Sequence, residues 1–196
     1  MLAYDQPGTT RDTIAIAHTA QQQAYVLLDT AGVRRRARVH DKVEKFSVLK
    51  ALQAMQQANV VLLVLDAHQG VSEQDMHLAG HILDAGRALV VVINKWDGLT
   101  AAQRERVRTE LNRRLGFLQF ATWHEISALH GSGVGHLLTS AQAAYRAAMR
   151  EFKTAELTDI LQASVVKHQP PMVRGRRIRL RYAHHRRLMF CLLYTS

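Results

Sequence analysis

An α/β fold built on a parallel sheet, with helices on both faces, is the class this sequence predicts. Three observations carry it. Two apolar runs, around Val60–Leu65 and Ala88–Ile93, have the length of strands buried on both sides. Stretches with helical spacing of apolar residues alternate with such strands, as a parallel sheet covered on both faces requires. The strands also end on polar residues (Asp66, Asn94, Ser127), at the carboxyl edge where open α/β sheets bind ligands.

In chain order, Thr13–Thr19 alternates and is rich in β-formers, so it reads as a strand. Gln21–Gln23 is a polar turn, and Ala24–Leu28 is a second strand near enough to pair with the first as a hairpin. Asp29 to His40 is a basic loop. Asp41 can cap a helix running to about Gln57, with Val48, Leu52 and Met55 on one face. The strand Asn59–Leu65 follows. Ser72 with Asp75 three residues on forms a capping box opening the helix Ser72–Ala85. After the strand Ala88–Ile93, a helix over Thr100–Leu115 stacks Val107, Leu111 and Leu115 at spacing four, with arginines on its other faces. Phe120–Ile126 is a strand, and Gly135 to about Phe152 a long helix. Past Lys153 the pattern changes to a helix Glu156–Val166, a rigid break at Pro170-Pro171, and an alternating basic strand Arg174–Tyr182. The predicted division is 1–152 and 153–196, with an atypical tail from about 185.

Composition narrows the function. The 196 residues are 47% apolar and 21% charged, a globular balance. Lys plus Arg number 26 against 16 acidic residues, a formal charge of +10 that favours an anionic partner such as nucleic acid. The basic residues cluster at Arg34–Arg38, Arg104–Arg114 and Arg174–Arg187. The lone cysteine, Cys191, rules out an internal disulfide framework and suits a reducing cytoplasm. No run approaches the ~20 apolar residues that span a bilayer. A soluble, cytoplasmic monomer is expected. His18, His68, His77, His81 and His130 lack ligand spacing and read as surface or packed histidines; Trp96 and Trp123 read as packing residues.

The chemistry sits at strand ends. Pro7-Gly8-Thr9-Thr10-Arg11-Asp12 is a turn carrying two hydroxyls that a phosphate-bound metal can use. Asp29-Thr30-Ala31-Gly32 ends a strand with a carboxylate able to reach a metal through water. Its glycine lets a backbone N–H approach a terminal phosphate. Asn94-Lys95-Trp96-Asp97 ends another. There a carboxylate can accept two hydrogen bonds from N1–H and the exocyclic amine of guanine, a pattern adenine cannot offer. The Lys95 stem can lie over the base, and the Asn94 amide can tie neighbouring loops together. Ser127-Ala128-Leu129 places backbone N–H groups where a guanine carbonyl can meet them. Three matches in order, each at a strand end, are hard to produce by accident.

With these motifs the chain resembles the translation-factor-class GTPases. DTAGVRRRARVHDKVEKFSVLKAL is more specifically similar to the second GTPase domain of the Der (EngA) family, bacterial proteins with two tandem G domains and a KH-like domain. TAELTDILQASVVKHQPPMVRGRRIRLRYA resembles the opening of that KH-like domain. The resemblance spans about Pro7 to Ala183. It implies a P-loop-NTPase-type fold over 1–152, a partial KH-like unit over 153–196, and GTP binding and hydrolysis in ribosome biogenesis. Thr9 or Thr10 would approach Mg²⁺ and the γ-phosphate, Thr10 and Asp29 would serve the metal, and Thr30, Ala31 and Gly32 would line the γ-phosphate. Asn94, Lys95, Asp97, Ser127 and Ala128 would read guanine. Val33 follows DTAG where a Ras-like enzyme carries a water-orienting glutamine, and relatives of this type resemble potassium-assisted enzymes. K⁺ is thus the implied activator, beside GTP/GDP and Mg²⁺. The implied partners are the large ribosomal subunit and its rRNA, through Arg34–Arg38 and Arg174–Arg181.

The chain departs from the family in one motif and at its tail. GxxxxGK[ST], whose lysine and backbone nest hold the β- and γ-phosphates, occurs nowhere in the 196 residues. The residues from His185 to Ser196 do not resemble the family. A fragment of a longer GTPase is therefore expected, with weakened phosphate binding. A non-enzymatic RNA- or ribosome-binding fragment and a nonfunctional partial gene product are the alternatives.

Overall fold

The computed structural model describes residues 14–29, 51–173, 175–177, 179–186 and 189–195. The chain divides into two compact units, one ending at Tyr145 and the other starting at Arg146.

In the first unit β1 (Ile14–Ala20) and β2 (Gln23–Asp29) form an antiparallel hairpin, in register from Ile14↔Asp29 to Ala20↔Gln23. Gln21 and Gln22 both have positive φ, 51° and 61°, the sign pattern of a type I′ turn built here without glycine. A separate sheet holds β3 (Val60–Asp66), β4 (Ala88–Asn94) and β5 (Thr122–Glu125), all parallel, in the order β3-β4-β5. The described part of α1 covers residues 51–57. The crossovers are α2 (Glu73–Asp84) and α3 (Ala101–Leu115), and α4 (Leu137–Ala148) follows β5. Both crossover helices start on capping boxes. Ser72 exchanges hydrogen bonds with Asp75, and Thr100 with Gln103, so orphan N–H groups at each helix start are satisfied.

β4 is the centre of this unit. Leu89, Val91 and Ile93 pack with Ala51, Met55, Ile82, Leu111 and Leu115 on one face. Val90 and Val92 pack with Ile126, Leu137 and Ala144 on the other. The alternation of strand side chains thus buries both faces of β4, as its continuous apolar run requires.

Two boundaries differ from the sequence expectation. Phe120 lies in a turn after a short 3₁₀ segment (Gly116–Leu118), is 69% exposed, and leaves β5 only four residues. The helix expected from Gly135 to Phe152 opens as a 3₁₀ turn (Val134–His136), becomes α-helical at Leu137 and ends at Ala148. Beyond it the Arg150 guanidinium lies 4.9 Å over the Phe152 ring.

The second unit contains α5 (Thr154–Lys167), β6 (Met172–Val173), β7 (Arg176–Arg177), β8 (Arg179–Arg186) and β9 (Met189–Thr195). The basic stretch expected as one strand is broken: Gly175, at φ 75°, reverses the chain so that β6 pairs antiparallel with β7. The apolar tail, given no partner by the sequence, pairs antiparallel along β8. α5 packs on β8 through buried Leu157 and Ala183, and the Ala183 N–H donates to Thr158 Oγ1 at 3.4 Å. No described helix is long and apolar enough to cross a membrane.

Candidate functional site

β3 and β4 are parallel and in register, so Asp66 and Asn94 stand side by side at their carboxyl ends. The loops leaving β3, β4 and β5 are stitched together there. Ala67 N–H donates to the Asn94 carbonyl at 3.0 Å, Ile126 N–H to the Ile93 carbonyl at 2.8 Å, and Trp96 N–H to the Ile126 carbonyl at 3.0 Å.

Asn94 carries the cross-link in its side chain. Its Oδ1 accepts from Lys95 N–H at 2.8 Å and from Ala128 N–H at 2.9 Å, joining the loop after β4 to the loop after β5. That is the tie expected of this amide. Lys95 adopts the left-handed conformation (φ 64°, ψ 33°), which a non-glycine residue takes up at a cost of roughly 1–2 kcal/mol. Its Nζ makes an ion pair with Asp66 Oδ2 at 2.8 Å. Asp66 in turn accepts from His68 N–H at 2.9 Å and Gln69 Nε2 at 3.0 Å, so its own loop holds it.

Asp97 sits one residue past Trp96 in the short 3₁₀ turn Trp96–Gly98. The Ser127 side chain is the main cause that holds the Asp97 pKa below the usual carboxylate value. Desolvation, the next largest effect, opposes it, while a backbone hydrogen bond and then the charges of His130 and His68 add to the lowering. His130 Nε2 lies 3.3 Å from Asp97 Oδ2. Ser127 is buried, its Oγ accepts from His130 N–H at 3.3 Å, and its N–H bonds to the Ser132 carbonyl at 3.0 Å. Gly133 closes this loop at φ 75°; a Cβ there would come within 2.8 Å of the Glu125 carbonyl oxygen. Trp96 anchors the turn from below. It is buried, with the Arg108 guanidinium 5.2 Å over its ring while Arg108 also grips Glu125 bidentately at 2.8 and 2.9 Å.

The structure therefore brings Asn94, Lys95, Asp97, Ser127 and Ala128 into one cluster at the sheet's carboxyl edge. Lys95 and Asp97 do not pair with each other: each has its own partner, Asp66 and His130. Asp29, half-buried, ends β2. Thr9, Thr10, Thr30, Ala31, Gly32, Val33 and the Arg34–Arg38 cluster lie outside the described residues. Two pairings were missed in the sequence. His130, read as a surface or packed histidine, is exposed as that reading expects, and what the sequence did not show is that its ring faces Asp97. Asp66 was noted as a polar strand end at the ligand-binding edge, but its pairing with Lys95 follows only from its place beside Asn94 in a parallel pair.

Relatives bear directly on this cluster. The family model described as "50S ribosome-binding GTPase" matches residues 2–95. GTPase Der of Halorhodospira halophila is 60% identical over 184 residues, 94% of this chain and 39% of that protein. GTPase Der of Shewanella amazonensis is 58% identical over the same length, 38% of that protein. Over this span the chain is homologous to GTPase Der. It spans about two fifths of the length of these Der relatives. Among solved structures, Era in complex with MgGDPNP and a segment of 16S ribosomal RNA has a TM-score of 0.58 at 25% identity, covering 70% of this chain and 46% of that one. Aquifex aeolicus Era bound to GDP and AlF₄⁻ reaches a TM-score of 0.59 at 20% identity, covering 90% and 63%. The fold is that of the P-loop GTPases, and the Asn94–Asp97 and Ser127–Ala128 loops occupy the carboxyl edge of its parallel sheet.

Proposed function

We propose that this chain is the guanine-reading part of a GTP-binding and GTP-hydrolysing domain that serves ribosome biogenesis. The observation that carries the reading is the Asp97 carboxylate. Its pKa is held below the ordinary carboxylate value, first by Ser127, and the Asn94 cross-link ties the loop that carries it to the Ala128 backbone. Such a carboxylate matches the N1–H and exocyclic amine of guanine, and the wrong base would leave buried partners unpaired. The homology to GTPase Der and the ribosome-binding family description support the nucleotide and the biological setting. In this reading Lys95 covers the base, Ser127 and Ala128 flank it, and Asp29 contributes a carboxylate whose chemistry suits water-mediated Mg²⁺. Thr9, Thr10, Thr30, Ala31 and Gly32 act towards the γ-phosphate and Mg²⁺, with K⁺ as activator. The large ribosomal subunit and its rRNA are the partners, in the cytoplasm. Residues 1–152 form the GTPase part and 153–196 a KH-like part.

The 196 residues hold no GxxxxGK[ST], so phosphate affinity is expected to be weak and base recognition to dominate. The test is ligand-observed NMR of the whole chain with GDP, ADP and XDP. Asp97→Asn should weaken GDP and improve XDP, because an amide donates to the xanthine carbonyl where a carboxylate accepts from the guanine amine. Equal binding of all three nucleotides by both proteins would sink the reading.

A second reading, an RNA-binding fragment without turnover, has its own observation: Arg177, Arg179 and Arg181 are exposed in the second unit. A salt series decides it, since phosphate contacts make RNA affinity fall steeply with ionic strength.

A further inference from the structure

The Asp66–Lys95 pair is not one of the contacts through which the base itself would be read, yet both of its partners are held from their own turns. Lys95 is fixed at its backbone by the Asn94 side chain and at its far end by Asp66, 2.8 Å from Nζ. The Lys95 side chain is 58% exposed and that of Asp66 only 15%, so the carboxylate is the fixed post and the ammonium the movable end. The post is itself secured from its own loop, by the His68 N–H and the Gln69 amide. Those bonds reach it from the turn after β3, while Lys95 reaches it from the turn after β4. Asp66 therefore joins the two turns through side chains at the level where their strands are already paired.

An exposed ion pair of this kind does little for folding, because screening and side-chain entropy offset its attraction. It can do much for a bound ring. A lysine stem that must lie flat against a base gives up rotamer freedom on binding, unless the freedom was lost beforehand. We propose that Asp66 is a positioning residue for nucleotide recognition: it anchors the Lys95 ammonium so that the stem is preset as one wall of the base slot. This inference rests on the guanine reading of Asp97. It adds a specific prediction: the effects of Asp66 and Lys95 on affinity overlap rather than add, while base selectivity stays with Asp97.

The experiment compares GDP and ADP binding, by ligand-observed NMR, to the whole chain and to Asp66→Asn, Lys95→Met, the double variant and Asp97→Asn. Asp66→Asn keeps an acceptor for the His68 N–H but loses the charge; Lys95→Met keeps an apolar stem but loses the ammonium. Each should raise the GDP Kd about 3- to 30-fold, the scale of one lysine's rotamer freedom. The double variant should be no worse than the weaker single, and all three should still prefer GDP to ADP. Losses that multiply in the double variant, or an Asp66→Asn protein that binds GDP as the parent does, overturn the positioning role while Asp97→Asn still abolishes the GDP preference. If Asp66→Asn proves unfolded by circular dichroism, Lys95→Met decides: wild-type affinity in it removes the need for an anchor, and a matching loss supports one. A parent chain that binds GDP no better than ADP, unchanged by Asp97→Asn, instead overturns the guanine reading and this proposal with it.

Discussion

Removing the Asn94 amide should loosen the candidate site and lower the stability of the first unit together. Its Oδ1 accepts two backbone N–H groups, Lys95 at 2.8 Å and Ala128 at 2.9 Å, from two different loops. In Asn94→Ala both donors lose their partner. A net value of about 0.5–1.5 kcal/mol per hydrogen bond gives about 1–3 kcal/mol for the pair. For a protein of this size that corresponds to a melting temperature lower by roughly 4–8 °C at the centre of the range. Lys95 also loses the contact that supports its left-handed backbone. Asn94→Asp is the control, because a carboxylate oxygen at the same place accepts both N–H groups. It should stay near the parent. The assay is thermal and urea unfolding with amide hydrogen exchange at Lys95 and Ala128, which should quicken in Asn94→Ala alone. An alanine variant within about 0.3 kcal/mol of the parent, with unchanged exchange at both amides, would refute the cross-link argument.

Three further outcomes are expected. Gly133→Ala should lower the free energy of unfolding by more than about 1 kcal/mol, since the residue needs φ 75° and its Cβ would meet the Glu125 carbonyl oxygen at 2.8 Å; an unchanged unfolding free energy contradicts this. Asp97 titrates below the ordinary carboxylate value, so the stability it gives is present above about pH 4 and is lost as pH falls through the lowered value. Ser127→Ala should move the Asp97 carboxyl-carbon titration upward, and an unmoved curve would show that the hydroxyl is not its cause. His130→Ala should tighten GDP binding by about 2- to 5-fold at fixed pH, because the imidazole shares the carboxylate that guanine would use; weaker binding would show that His130 helps instead.

The sheet and its crossovers were legible because their signals are local. The runs that became β3 and β4 are apolar without interruption, and the Ser72 and Thr100 capping boxes fix where α2 and α3 begin. β5 was overestimated because Phe120 and Ala121 continue the apolar pattern. The chain spends them instead on a turn, where the Ala121 N–H bonds to the Leu118 carbonyl and the Trp123 indole reaches the same oxygen. The basic stretch Arg174–Tyr182 was taken for one strand because alternation says nothing of a glycine at positive φ. Asn94, Lys95, Asp97, Ser127 and Ala128 were readable as motifs, since each stands at a strand end in a fixed order. The partners that hold them were not. Asp66 and His130 are brought in by strand register and loop closure, and neither leaves a mark in the sequence beyond an ordinary polar residue.

Burial on both faces of β4 has a consequence for how the strand finds its place. A strand with one wet face cannot slip by a residue without turning its apolar set outward, but β4 is apolar on both sides and would bury as well after a slip. Hydrophobicity therefore leaves its position open. What closes it are the polar bonds at the two ends: Ala88 to the Asn59 carbonyl at one, and the Asn94 backbone and side-chain bonds at the other. Asn94, a member of the candidate site, thus also acts as the stop that seats the strand. Substitutions inside β4 should be tolerated when volume is kept, whereas inserting or deleting a single residue there should cost folding and recognition at one stroke.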